Sequence, residues 1–338
     1  MNNNIFTWLT PTLSQLQTRR QALPHALLIQ GRAGLGKTAL AMAFAQRLLC
    51  EGTTSADLAC GECQACVWFS QGNHPDFRLL QPEALAESPP ADAESRRRDG
   101  ETASRQIRID QVREVQGLLA IGTHRRGLRV VLIRPAEAMN VAASSALLKS
   151  LEEPPPSTLF LLVSSMPDRL LPTVKSRCQR VLVPPASAAD AVPWLAAQGV
   201  NDPEAALAYA GNAPLAVLED AEDRPAREAL LRELAGGQRD ALALADVCQG
   251  TAPLRVIAWL QKWVADLVLA RVASRARYHL RQLPVLRGLA EAVSLERLLR
   301  FERSLVDCAA VAQHPLNARL FLEAIFIRYT QLWEARHA

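Results

Sequence analysis

The stretch Gly31-Arg32-Ala33-Gly34-Leu35-Gly36-Lys37-Thr38 is the strongest constraint on what this chain can become. It fits G-x-x-x-x-G-K-[ST], the P-loop that holds a nucleoside triphosphate. The apolar run at 26–30 before it suits a buried parallel strand, and residues 39–50, rich in Ala and Leu, read as a helix. A strand, a glycine loop and a helix in that order point backbone N–H groups and the positive helix end at phosphate oxygens. In such a cradle Gly31, Gly34, Leu35 and Gly36 lie against the phosphates, Lys37 reaches the terminal ones and Thr38 holds Mg²⁺. The bland alternative is a glycine-rich turn with a chance lysine, and the flanking strand and helix argue against it.

A chain of 338 residues has room for two or three domains and a sizeable core. It is 49% apolar and 21% charged, which is ordinary for a soluble globular protein, and a net charge of +4 does not by itself imply nucleic-acid binding. Residues 1–5 carry neither a basic n-region nor an apolar h-region, and no apolar run is long enough to span a membrane. The expected location is therefore cytoplasmic. Seven cysteines in that compartment are thiols or metal ligands rather than disulfides.

Four of them, Cys50, Cys60, Cys63 and Cys66, are spaced C-x9-C-x2-C-x2-C with Gly61 inside the cluster. Four thiolates this close make a structural, tetrahedral Zn²⁺ site the natural reading, a small zinc ribbon at about 50–70 inserted after the P-loop helix. Four unligated thiols and an iron–sulfur cluster are the alternatives.

Around these motifs the chain reads as a lead-in helix over 1–25, with His25 as a packing or capping residue, and a strand ending near Leu80. Residues 82–105 are polar and include Arg96-Arg97-Arg98, which predicts a solvated surface loop rather than a DNA contact. A helix over 107–120 and a buried strand at 129–133 follow. A working P-loop ATPase places an acid directly after this strand to orient Mg²⁺ and the attacking water. This chain places Arg134 and Pro135, and Glu137 comes three residues late, expected to face elsewhere. The hydrolytic half of the site is missing. Asn140 is positioned to cap the next helix and Pro154-Pro155-Pro156 to stop it. The run 158–164 is another buried strand, placing Ser164 or Ser165 near the γ-phosphate, and Ser176-Arg177-Cys178 precedes a strand over 179–183.

With Leu147-Leu148-Lys149-Ser150-Leu151-Glu152-Glu153-Pro154-Pro155 and Ser176-Arg177-Cys178 in view, the chain resembles the bacterial clamp-loader subunits. These are AAA+ proteins of the DNA polymerase III holoenzyme, and the resemblance is strongest to their delta-prime family. It covers the whole chain. It implies an α/β P-loop AAA+ domain over 1–185 with the zinc ribbon, a small helical lid over 186–226 and an all-α collar domain over 227–338. It also implies that Arg177 reaches in trans into a neighbour's ATP site as an arginine finger, and that the four cysteines are zinc ligands. The implied partners are motor (gamma/tau) and delta subunits in a hetero-oligomeric ring, the sliding clamp and, through the assembly, primer–template DNA. The implied role is loading the clamp onto primed DNA during replication. Such a subunit belongs to a DNA-directed DNA polymerase holoenzyme and its clamp-loading ATPase, with little or no catalysis of its own.

Two departures from the family pattern pull in opposite directions. The P-loop is intact here where many delta-prime sequences have lost it, so ATP with Mg²⁺ can bind. The acidic pair of the motor subunits is replaced by Arg134 and Pro135, and Pro214 stands where motor subunits carry a sensor arginine. The rival readings are an active motor subunit of the same assembly and a stand-alone P-loop enzyme with a structural zinc. Beyond Pro225 helical patterning dominates; Trp259 and Trp263, at i and i+4, read as core. Arg271, Arg275, Arg277, Arg281 and Arg287 read as a solvated or inter-subunit face.

Overall fold

The computed structural model describes residues 5–52, 58–86, 103–119, 127–236, 240–312 and 317–334. The chain forms two compact units, Met1–Ser187 and Ala188–Ala338.

The first unit is built on five parallel strands: β1 (Ala26–Gln30), β2 (Phe77–Leu80), β3 (Arg129–Ile133), β4 (Thr158–Ser164) and β5 (Gln179–Leu182), in the order β2-β3-β4-β1-β5. β3 and β4 are buried along their whole length, as unbroken Val, Leu and Ile runs require in a sheet covered on both faces. β5 is an edge strand and is largely exposed. On one face Leu28, Val131, Ile133, Phe160 and Leu162 pack with Val112 and Val115 of α4 (Ile109–Leu119) and Leu147 and Leu151 of α5 (Val141–Glu152). The Asn140 side chain accepts the Ala143 amide at 2.8 Å and starts α5.

The strand order places the site. After β1 the chain crosses to the far edge at β2, works back through β3 and β4, and lays β5 on the other side of β1. This reversal opens a crevice at the carboxyl ends of the strands, where ligands of open α/β sheets bind. In register, Gln30 at the end of β1 sits between Ser164 and Leu182.

The lead-in is shorter than a helix over 1–25. It consists of a 3₁₀ turn (Thr7–Leu9), α1 (Thr10–Thr18) and a second 3₁₀ turn (Arg20–Ala22). Pro11 fits only a helix's first turn, and Leu23 before Pro24 is held extended, so both ends are set locally. The helix after the P-loop is α2 (Lys37–Leu49), two residues earlier than its composition predicts, and α3 (Gln64–Ser70) follows the cysteines. Most of the polar segment, residues 87–102 with the arginine run, lies outside the described residues. Arg177 ends the short helix α6 (Pro172–Ser176).

The second unit is helical: α7 (Ala188–Ala197), α8 (Pro203–Tyr209), α9 (Pro214–Glu219), α10 (Arg224–Ala235), α11 (Ala241–Val247), α12 (Pro253–Ala273), α13 (Leu283–Glu291), α14 (Leu295–Val311) and α15 (Ala318–Thr330). Trp259 and Trp263 are buried in its core beside Leu298, Leu305, Ile325 and Phe326. The Trp263 indole donates to Tyr329 Oη at 2.9 Å, so a buried polar atom finds its partner. The arginine group on this unit is only partly solvated: Arg281 pairs with Asp202 at 2.7 Å, and Arg287 donates to the Ser274 carbonyl. No helix among the described residues is long and apolar enough to cross a membrane.

Candidate nucleotide and metal sites

The glycine loop follows β1 directly and ends where α2 begins. Gly36 occupies the helix N-cap at φ +85°, a left-handed conformation that a side chain disfavours. A Cβ there would also come within 3.1 Å of Leu9 Cδ1 and Phe6 Cδ2. Those contacts come from the N-terminal segment, which packs onto the loop. Phe6 stacks on Trp8 with ring centroids 4.7 Å apart, and the Trp8 indole donates to the Leu35 carbonyl at 3.0 Å. The spacing of Trp8 and Leu9 gives a buried face but not what it covers; sequence reasoning missed this contact.

Lys37 is buried, with Nζ donating to the Arg32 carbonyl of the loop at 2.5 Å. The ammonium is thus held across the loop it would serve. Thr38 stands half-buried in the first turn of α2. The motif's residues lie at the crevice end of the sheet, between the end of β1 and the start of α2.

The acid side of the crevice differs from expectation at one residue. Arg134 turns toward the β2 end, its Nε donating to Gln81 Oε1 at 3.0 Å. Glu137 does not face elsewhere: its Oε1 accepts the amides of Ser165 at 3.0 Å and Met166 at 3.2 Å, just past β4. The reason is local. The 3₁₀ turn Ala136–Ala138 brings the side chain back over the sheet's carboxyl edge, where the two amides after the strand end need an acceptor. Its Oε1 is therefore engaged in holding backbone.

Cys50, Cys60, Cys63 and Cys66 place their sulfurs within 4.8 Å of one another. The nearest pairs are Cys50–Cys60 at 3.5 Å, Cys60–Cys66 at 3.9 Å and Cys50–Cys63 at 4.0 Å. A tetrahedron of sulfurs about 2.3 Å from a metal has edges of about 3.8 Å, so this donor set fits a metal ion. Backbone amides turn inward as well: Gly52 and Cys60 donate to Cys50 Sγ, and Cys63 donates to Cys60 Sγ, each at 3.4 Å. The amides of Cys63 and Glu62 lower the Cys60 thiol to about 6, while burial pushes the Cys66 thiol up. Gly52 is a residue sequence reasoning missed. A Cβ on it would lie 2.8 Å from Cys60 Sγ, so only glycine lets the chain pass the cluster; its position two residues after Cys50 is the signal that marks it.

Arg177 lies on the surface of the first unit. Its guanidinium pairs with Glu152 at 2.6 Å and donates to the Thr173 carbonyl at 3.0 Å, and its side chain is about one-third exposed. Pro214 is buried in the first turn of α9, a position it occupies without a lost hydrogen bond.

A family described as "DNA polymerase III, delta subunit" matches residues 10–187, and its C-terminal counterpart matches residues 222–331. The chain is 44% identical to "DNA polymerase III subunit delta'" of Pseudomonas aeruginosa over 63% of its length and 60% of that protein. It is 34% identical to the subunit of that name from Escherichia coli, over 68% of this chain and 65% of that one. With the Yersinia pestis subunit of that name it shares 30% identity over 90% of its own length and 88% of the relative's. The chain therefore belongs to the delta-prime family of DNA polymerase III subunits.

Proposed function

We infer that this chain acts as the delta-prime subunit of a DNA polymerase III clamp loader. In that role it helps load the sliding clamp onto primer–template DNA while catalysing little or nothing itself. It works in the cytoplasm, in a ring with motor and delta subunits, and presents Arg177 to the ATP site of the adjacent motor subunit. There a guanidinium stabilises the charge that develops on the transferred phosphoryl group. The reading divides the chain into an AAA+ domain (1–185), a lid (186–226) and a collar (227–338). The cysteine cluster holds a structural Zn²⁺, since four thiolates with no open position leave nowhere for a substrate.

One contrast carries the proposal: the P-loop is complete, yet the position after β3 is Arg134, turned onto Gln81. Gly31, Gly34, Leu35, Gly36, Lys37 and Thr38 supply the groups that bind ATP with Mg²⁺. No acid follows β3 directly to orient water.

The placement of Glu137 at the β4 end favours a second reading, an active motor subunit in which this carboxylate replaces the missing acid. Nucleotide binding and phosphate release decide between the two, measured on the purified chain alone and mixed with the motor and delta subunits. The delta-prime reading expects ATP binding without turnover by the isolated chain, and loss of assembly ATPase with Arg177→Ala. Ordinary turnover by the isolated chain that is lost in Glu137→Gln would establish the motor reading instead.

A further inference from the structure

One end of the second unit carries a one-sided charge distribution. Between Leu267 and Ala290 the chain has five arginines, Arg271, Arg275, Arg277, Arg281 and Arg287, and no carboxylate. All five are exposed. They run from the last turn of α12 through residues 274–279 and a 3₁₀ turn (Leu280–Gln282) into α13. Three are engaged within the chain. Arg281 pairs with Asp202 at the N-cap of α8, Arg287 donates to the Ser274 carbonyl, and Arg277 stands 5.4 Å from the Tyr278 ring centroid. Arg271 and Arg275 form no hydrogen bond or ion pair among the described residues. The carboxylates that flank the five are Asp202, Glu204 on α8 and Glu291 at the end of α13, and Glu204 and Glu291 pair with none of them among the described residues. Asp266 is buried and committed to His279 and backbone amides. Positive charge is therefore in excess here.

Apolar side chains are exposed among these arginines: Val272 at 66%, Leu280 at 49% and Val285 at 38%. One such residue would be ordinary on a protein surface; three between the same cations form a mixed patch. The patch is also fixed in place. The Asp266 carboxylate accepts the consecutive amides of Arg277, Tyr278 and His279, while Arg287 ties Ser274 to α13 and Arg281 ties the 3₁₀ turn to α8. A surface that is already ordered loses little entropy when a partner docks.

Exposed arginines with apolar side chains between them match protein-binding surfaces, where charge steers the partner and desolvated apolar contacts hold it. A nucleic-acid strand fits less well. Phosphate contacts make no use of exposed Val and Leu, and base stacking needs an open aromatic face. The phenol ring of this segment, Tyr278, is half-buried with Arg277 beside it. We propose that this end of the second unit docks an acidic, amphipathic segment of a partner protein. Its carboxylates meet Arg271 and Arg275, and its apolar side chains cover Val272 and Leu280. The inference rests on neither the P-loop nor the cysteine cluster.

The test uses the full chain and a fluorescent helical peptide built of Leu and Glu, with one apolar and one acidic face, followed by fluorescence anisotropy at physiological salt. The peptide should bind, and its Kd should weaken at least ten-fold in Arg271→Gln/Arg275→Gln and several-fold in Val272→Ser/Leu280→Ser. Should either double variant fail to fold by circular dichroism, Arg275→Ala, which lies outside any helix, serves in its place with an expected weakening of several-fold. A charge-reversed peptide of Leu and Lys should not bind, and a thymidylate oligonucleotide should not displace the acidic peptide. No binding of the acidic peptide, affinity unchanged in the folded variants, or equal affinity for a peptide of Ser and Glu overturns the proposal. Displacement by the oligonucleotide overturns it too and assigns the surface to nucleic acid.

Discussion

Arg177 Nη2 lies 2.6 Å from Glu152 Oε1, which ties the Ser176-Arg177-Cys178 motif to the end of the Leu147–Pro155 motif within one chain. Both side chains are partly exposed, at 34% and 50%. An ion pair in such a setting contributes at most about 1 kcal/mol. It holds the guanidinium on the surface at low cost to its release.

Glu152→Gln should therefore change the stability of the isolated chain by about 0.5 kcal/mol or less, read from urea denaturation. Arg177→Ala should be equally quiet in that measurement. In the assembled ring it should slow hydrolysis at the adjacent site by about 10³-fold or more, the typical worth of an arginine finger. A large stability loss in Arg177→Ala would mean the pair is structural.

The cysteine cluster makes a sharper prediction at a residue that ligates nothing. Gly52→Ala would push a methyl group to 2.8 Å from Cys60 Sγ and 3.0 Å from its Cβ. Elemental analysis should find about one zinc per chain in the wild type and a clear deficit in Gly52→Ala. Cys63→Ser should lose the metal and lower the melting temperature of the first unit. Structural zinc contributes on the order of 10 kcal/mol to the folding of small sites, so chelation should reproduce the Cys63→Ser effect.

Gly36→Ala tests the packing of the N-terminal segment on the glycine loop. The substitution meets both a left-handed backbone and the side chains of Leu9 and Phe6. It should destabilise the chain by about 1–2 kcal/mol and abolish nucleotide binding. Trp8→Phe, which loses the indole bond to Leu35 along with part of the buried ring, should weaken binding with a smaller stability change, seen by nucleotide titration and thermal melting.

Asp266 supplies the pH dependence. Its carboxylate is buried and accepts the amides of Arg277 at 2.7 Å and His279 at 2.6 Å, with the His279 ring nitrogen at 2.9 Å. Burial alone would raise its pKa, but the His279 ring and the amides of Arg277 and His279 outweigh it, and the carboxyl is held below its usual value. The native state thus binds the proton less readily than the unfolded chain. The stabilisation is fully present above about pH 4, the unfolded value, and is lost as pH falls through the folded one. Asp266→Asn should cost about 2–4 kcal/mol at pH 7, and the gap to wild type should close below about pH 4 in denaturation curves.

What the sequence by itself determined were the features written in short stretches. The P-loop spacing, the β1, β3 and β4 runs, the Asn140 cap and the four-cysteine spacing each depend on residues close together, and each forms where local chemistry puts it. Boundaries shifted where a proline or a left-handed glycine set them, as at Pro11 and Gly36. Only the tertiary structure decided what these pieces touch. That Trp8 caps Leu35, that Glu137 turns onto the Ser165 and Met166 amides and that Arg134 turns onto Gln81 depend on packing between residues 27 to 53 positions apart. Local propensity acts within a few residues, whereas the contacts that aim a side chain are set by packing between elements far apart in the chain.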